Sequence, residues 1–270
     1  MLHFKYILLL LPIIIFVQAR KLPACKSSVL ICYGKLNPVD ISNYDYVILE
    51  ADLYTKKDIE LIKKNNKKVL CYISLGEVNQ HASYFEDLKG MVETRNHIWN
   101  SYDLNLNYKK TRNVLSKVIK NRLLKGFDGL FLDNIDSYTV YGNQYKNSSY
   151  LVAYLELLRK KYPSIHIMQN AGLPLLDNTS KYINSLAVES VASNYDFSKK
   201  EYRLRRISDF MRQKKAIQRI EKQYQKEIIV IEYANTEALY KEIKSRLKST
   251  NWNCYVAKID LQKQSIFSKN

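Results

Sequence analysis

A chain of 270 residues with 46% hydrophobic side chains and only 7 glycines and 5 prolines can bury one large core, which excludes a disordered, collagen-like or low-complexity polymer. Lys and Arg outnumber Asp and Glu by 43 to 26, a formal charge of +17. Much of that excess lies in segments such as KKDIELIKKNNKK and YRLRRISDFMRQKKAIQRIEKQYQK, where apolar residues recur at helical spacing. This describes solvated helix faces, so no nucleic-acid partner is expected.

The N-terminus, MLHFKYILLLLPIIIFVQAR, places Lys5 before an apolar block over residues 6–17, followed by the small residue Ala19. This is the shape of a signal peptide. The block is shorter than the roughly 20 residues of a spanning helix, and Pro12 interrupts it. Residues 1–19 are therefore read as a cleaved signal and 20–270 as one mature domain, secreted or periplasmic/extracellular and monomeric, without stable membrane insertion.

Strand-like runs then recur: SVLICYG (28–34), YDYVILEAD (44–52), KKVLCYISLGE (67–77), GLFLDNID (129–136), IHIMQNAG (165–172), SLAVESV (185–191), EIIVIEYA (227–234) and WNCYVAKID (252–260). Most are continuous rather than alternating, as strands covered on both faces are. Helical patterns lie between them, among them TKKDIELIKKNN, YKKTRNVLSKVIKNRLLK, SYLVAYLELLRKKY and TEALYKEIKSRLKS. Strand and helix alternating about eight times predict an α/β fold, a single (β/α)8 TIM barrel. A doubly wound sheet is the alternative, but no GxGxxG follows the first strand. The longest gap, between the third and fourth runs, predicts an insertion over the barrel mouth.

Cys25, Cys32, Cys71 and Cys254 match no metal-ligand spacing and the four histidines are scattered, so no metal and no cofactor is expected. Cys32, Cys71 and Cys254 sit in strand-like runs as small buried hydrophobes. Only Cys25 lies in a loop, which leaves room for at most one disulfide, to Cys32 or Cys254.

Barrel enzymes draw their chemistry from the C-terminal ends of the strands. Here acids or amides end seven of the eight runs: Glu50 and Asp52, Glu77, Asp133 with Asn134 and Asp136, Gln169 and Asn170, Glu189, Glu232 beside Tyr233, and Asp260. Burying a lone charge is costly, so carboxylates gathered at one rim point to a polar cavity that holds a ligand. Asp128, in the GFDG turn before the fourth run, caps the opposite end. Asp133 and Glu189, ending the fourth and sixth strands, are the pair suited to glycoside hydrolysis. Glu77, Asp52, Asp136, Asn134, Asn170, Glu232, Tyr233 and Tyr72 are the candidate substrate contacts. Glu232 and Tyr233 are adjacent and must point to opposite sides; Glu232 is expected to face the mouth. Tyr33, Tyr72 and Trp99 offer stacking faces for sugar rings.

The blocks CYISLGE (71–77), WNSYDLNL (99–106), KGFDGLFLDNIDSY (125–138), QNAG (169–172), AVES (187–190) and VIEY (230–233), in this order, resemble glycoside hydrolase family 114 and its bacterial relatives over most of the mature chain. GFDGLFLDNID is the most specific of them. The resemblance implies a secreted TIM barrel related to endo-α-1,4-polygalactosaminidases, with Asp133 as nucleophile, Glu189 as acid/base, and an amino-sugar polysaccharide as substrate. A non-catalytic carbohydrate-binding barrel at the cell surface is the alternative; it would not need both carboxylates.

Overall fold

The computed structural model describes residues 28–267. The proposed signal segment and Cys25 lie outside the described residues, whereas Cys32, Cys71 and Cys254 are buried in the core. Eight parallel strands run in chain order around one sheet: β1 (Val29–Cys32), β2 (Tyr46–Leu49), β3 (Lys68–Ser74), β4 (Gly129–Asp133), β5 (His166–Asn170), β6 (Ser185–Glu189), β7 (Glu227–Tyr233) and β8 (Asn253–Ala257). Each lies inside one of the apolar runs. The strand bodies are buried almost throughout. β8 returns to β1, and a hydrogen bond of 3.0 Å from the Ser28 hydroxyl to Asn253 Oδ1 ties the seam. The fold is a (β/α)8 TIM barrel.

Five long helices clad the sheet: α1 (Lys56–Lys64), α2 (Lys109–Leu124), α3 (Ser148–Lys161), α4 (Ile207–Tyr224) and α5 (Glu237–Leu247). α1 starts at a capping box, in which the Thr55 hydroxyl accepts from the Asp58 N–H while the Asp58 carboxylate accepts from the Thr55 N–H. It turns Ile59 and Ile62 to the sheet. α2 buries Thr111, Leu115, Ile119 and Arg122, a helical stripe in which the last member is charged. The alternation expected from the sequence is incomplete. A 3-10 turn, Pro38–Asp40, joins β1 to β2, and β5 reaches β6 through 3-10 turns around the one-turn helix Leu176–Thr179. The segment YRLRR is not helical either: Glu201–Leu204 is a strand and α4 begins at Ile207.

Two additions stand over the C-terminal mouth. The insertion after β3 folds as an antiparallel sheet in the order Glu77–Asn79, Ser101–Leu104, Val92–Asn96. After β6 comes a hairpin, Ser193–Asp196 with Glu201–Leu204. Among the described residues no helix is long and apolar enough to cross a membrane.

The GFDG turn works at the other end. Gly126 takes φ +102°, a conformation that L side chains rarely adopt, and a Cβ on Gly129 would collide with the backbone of His166 where β4 meets β5. Between them Asp128 Oδ2 accepts from the Val69 N–H at 2.8 Å, and Oδ1 pairs with Lys63 at 2.7 Å. Replacing Asp128 with Ala should lower stability in urea unfolding by about 1–3 kcal/mol, chiefly because the Val69 donor loses its partner. The half-exposed Lys63 pair adds little.

Candidate active site

Strands β4, β5, β6 and β7 end on Asp133, Asn170, Glu189 and Tyr233, and their side chains meet in the mouth. Asn170 Nδ2 donates one hydrogen to Asp133 Oδ1 at 2.8 Å and the other to Glu189 Oε1 at 2.6 Å. Two oxygens held by one nitrogen are no farther apart than the two bonds laid end to end, about 5.4 Å. Tyr72, from β3, donates its hydroxyl to Asp133 Oδ2 at 3.0 Å, and the Tyr233 hydroxyl donates to Glu189 Oε2.

The two carboxylates differ in their surroundings. Glu189 reaches solvent through the mouth, yet protein crowds its carboxyl. That burial first, and the Asp133 charge second, push its pKa up to about 7. Burial also raises Asp133, but the Asn170 amide, the Asn134 N–H and the Tyr72 hydroxyl all favour its charged form. With a pKa of about 7, Glu189 carries a proton in part of the population near neutral pH. Tyr33, Tyr72 and Tyr233 stay phenolic, since burial and then the neighbouring carboxylates lift them well above the ordinary tyrosine range.

The backbone turns sharply behind each of the three bridged groups. Asn134, Ala171 and Ser190 directly follow Asp133, Asn170 and Glu189, and all three are left-handed, with φ of 57°, 57° and 55°. Each such non-glycine residue costs roughly 1–3 kcal/mol and persists only where the surroundings impose it. Here ladder-like bonds do so: the Ala171 N–H donates to Ala187 O at 3.0 Å and the Ser190 N–H to Ile231 O at 2.8 Å. The Asn134 side chain donates to the Ser74 hydroxyl at 2.9 Å, so its part in the cluster is its backbone N–H.

Asp136 and Glu77, together with Asp103, Ser137 and Asn143, line a cleft of about 540 Å³ whose lining does not include Asp133 or Glu189. Burial first, and the charges of Asp133 and Glu77 after it, raise Asp136, which places these acids in one field. Glu77 is held by the Ser101 hydroxyl at 2.5 Å and the Asn96 amide at 3.1 Å.

Two candidates lie elsewhere. Glu232 does not face the mouth; it is fully buried behind β7, where it accepts from the Ala192 N–H at 2.7 Å, the Ser193 N–H at 2.7 Å and the Ser193 hydroxyl at 2.5 Å. The alternation holds, but it is Tyr233 that faces inward. Asp52 is drawn off to Arg122 at 3.3 Å and to the Ser83 hydroxyl at 2.8 Å.

A profile for the glycoside-hydrolase family GH114 matches residues 20–270. The chain belongs to glycoside hydrolase family GH114. Among solved structures it is similar to the glycoside hydrolase domain of PelA from Pseudomonas aeruginosa, 26% identical with a TM-score of 0.77, covering 88% of this chain and 96% of that one. It shares its fold with Aspergillus fumigatus Ega3 in complex with galactosamine, 15% identical with a TM-score of 0.68, over 90% of this chain and 95% of that one. No curated protein matches the chain.

In this GH114 barrel the first strand also contributes, through Tyr33, one of the three expected stacking faces. Tyr33, just past β1, sets its ring centroid 4.5 Å from that of Tyr72 and faces both carboxylates. Its place near the end of the first apolar run is the signal that marks it. Arg122 gave no such signal. From the last turn of α2 it donates to Tyr72 O at 2.5 Å and pairs with Glu50 at 3.0 Å, fixing the strand ends that carry Tyr72 and Glu50.

The Tyr233 hydroxyl lowers the pKa of Glu189 by bonding its charged form. In Tyr233→Phe that pKa should move above its present value of about 7. A carbon-13 NMR titration of the labelled glutamate carboxyls reads the shift, and an unchanged or lower value would contradict the hydrogen bond's assigned role.

Proposed function

We propose that this glycoside hydrolase is a secreted, endo-acting enzyme that cleaves α-1,4-linked galactosamine- and N-acetylgalactosamine-containing polysaccharide, with Asp133 as nucleophile and Glu189 as acid/base. The observation that carries the reading is the Asn170 bridge, which brings one oxygen of Asp133 and one of Glu189 to within about 5.4 Å of each other, a closeness that favours the retaining arrangement. Retaining glycosidases use a separation of about 5–5.5 Å, and inverting ones about 6.5–9.5 Å.

The steps follow from the proton placement. Ionised Asp133 attacks the anomeric carbon while Glu189 gives its proton to the glycosidic oxygen. The C–O bond breaks, the aglycone leaves, and a glycosyl ester forms on Asp133. Glu189, now a carboxylate, takes a proton from water as the water oxygen attacks the anomeric carbon; the bond from that carbon to the Asp133 oxygen breaks, Asp133 leaves as a carboxylate, and a new reducing end is released. The Asn170 amide serves both states, since it donates to whichever carboxylate bears charge.

An amino-sugar substrate is supported by the acids of the cleft and by the galactosamine found with the Aspergillus fumigatus protein, to which the likeness is one of fold. An unacetylated amino sugar is a cation, and the mature charge of +16, one less than the +17 of the full sequence because Lys5 leaves with the signal, opposes it at long range. Salt screens distant charges beyond about 8 Å, so Asp133, Asp136, Glu77 and Asp103 decide the local field.

The test is release of reducing ends from α-1,4-linked galactosamine and N-acetylgalactosamine oligomers. Glu189→Gln and Asp133→Asn should each lose about 10²–10⁴-fold in kcat while oligomer binding survives. Because the acid must carry its proton, kcat/KM should fall as pH rises through about 7. A folded chain that binds the oligomers and never cuts them would instead be a binding-only barrel.

A further inference from the structure

The two additions over the mouth touch each other. Trp99 sits at the tip of the sheet inserted after β3, and Phe197 at the tip of the hairpin after β6. Their ring centroids are 5.6 Å apart with the planes near perpendicular. Tyr195 meets Phe197 edge-on at 4.9 Å and Tyr202 at 4.7 Å, which continues the row toward the end of β8, where the Tyr202 hydroxyl accepts from the Ile259 N–H. An aromatic row thus spans from the β3 side of the barrel to the β7 and β8 side.

Trp99 is 45% exposed and Phe197 43%, a large apolar surface to leave in water. Neither tip is loosely held. The Trp99 carbonyl accepts from Asn79 Nδ2 at 2.9 Å, and the Ile98 N–H is taken by Asn96 Oδ1 at 3.1 Å. Behind Phe197, Asp196 Oδ1 accepts from the N–H groups of Ser198 and Lys199 and from the Ser198 hydroxyl, and Asp196 pairs with Arg203 at 3.4 Å. Polar side chains therefore hold both turns while the rings stay outside the core.

We propose that Trp99 and Phe197 form a sugar-stacking subsite across the mouth, binding a pyranose of the polymer at a position outside the Asp133–Glu189 pair. Pyranose rings present apolar C–H faces that pack on aromatic rings, and an edge-to-face pair leaves ring faces free for them. The inference rests on the polysaccharide reading above.

Of the two tryptophans in the chain, Trp252 is buried and bonded to Glu221, so Trp99 is the solvent-facing reporter. With Glu189→Gln keeping the oligomers intact, α-1,4-linked galactosamine octamer should shift the emission of Trp99 and protect it from acrylamide, and the dimer should do so weakly. By calorimetry, Phe197→Ala and Trp99→Ala together should weaken octamer binding about tenfold, while Trp99→Tyr restores most of it. Octamer that binds without moving Trp99, or binds equally to the doubly substituted chain, overturns the subsite. Cleavage by the unaltered chain separates that result from failure of the polysaccharide reading: oligomers cut as before leave the hydrolase standing, and oligomers neither cut nor bound remove both.

Discussion

Asn170 donates its two amide hydrogens to Asp133 and Glu189, and the rest of the mouth is arranged around what that closeness costs. Two carboxylates at such a distance in a crowded site do not both ionise readily. The structure resolves the repulsion by giving them unlike partners. Asp133 receives three donors that favour its charged form, while Glu189, crowded and facing that charge, is pushed up to about 7. A single amide set between two strand ends thus joins two carboxylates of unlike surroundings.

Such a bridge tolerates little movement, and the backbone supplies the rigidity. The left-handed residues behind Asp133, Asn170 and Glu189 turn the chain away at once, so each functional side chain is the last of its strand. Glu232 extends the same logic from outside the mouth, since its carboxylate pins residues 192 and 193 just beyond Glu189. Arg122 does so from the helix side, reaching the Tyr72 carbonyl and the Glu50 carboxylate together.

Much of this was legible in the sequence because a parallel barrel writes its strands as continuous apolar runs and its chemistry at their ends. Asp133, Asn170 and Glu189 were found by reading each run to its last residue. The choice between Glu232 and Tyr233 was not legible: alternation says that they oppose, but which one faces inward depends on strand register and on the loop that offers donors to a buried carboxylate. Asp52 was lost for a related reason, because a long arginine reaching in from α2 competes for a strand-end acid. The hairpin at 193–204 was hidden by a basic run that reads as the start of a helix, and the left-handed turns by residues with no glycine to mark them.

The charge of the molecule and the charge of its mouth have opposite signs, and only the second bears on the chemistry. A basic exterior over an acid-lined cleft keeps the carboxylates as the dominant local field. The most direct test of the account is the anomeric configuration of the first product, followed by proton NMR during cleavage of an α-1,4-linked galactosamine oligomer. The proposed double displacement predicts that the α-anomer appears first and mutarotates later. A β-anomer formed first would mean inversion, a water between carboxylates held farther apart, and an Asn170 bridge that does not persist in the working enzyme.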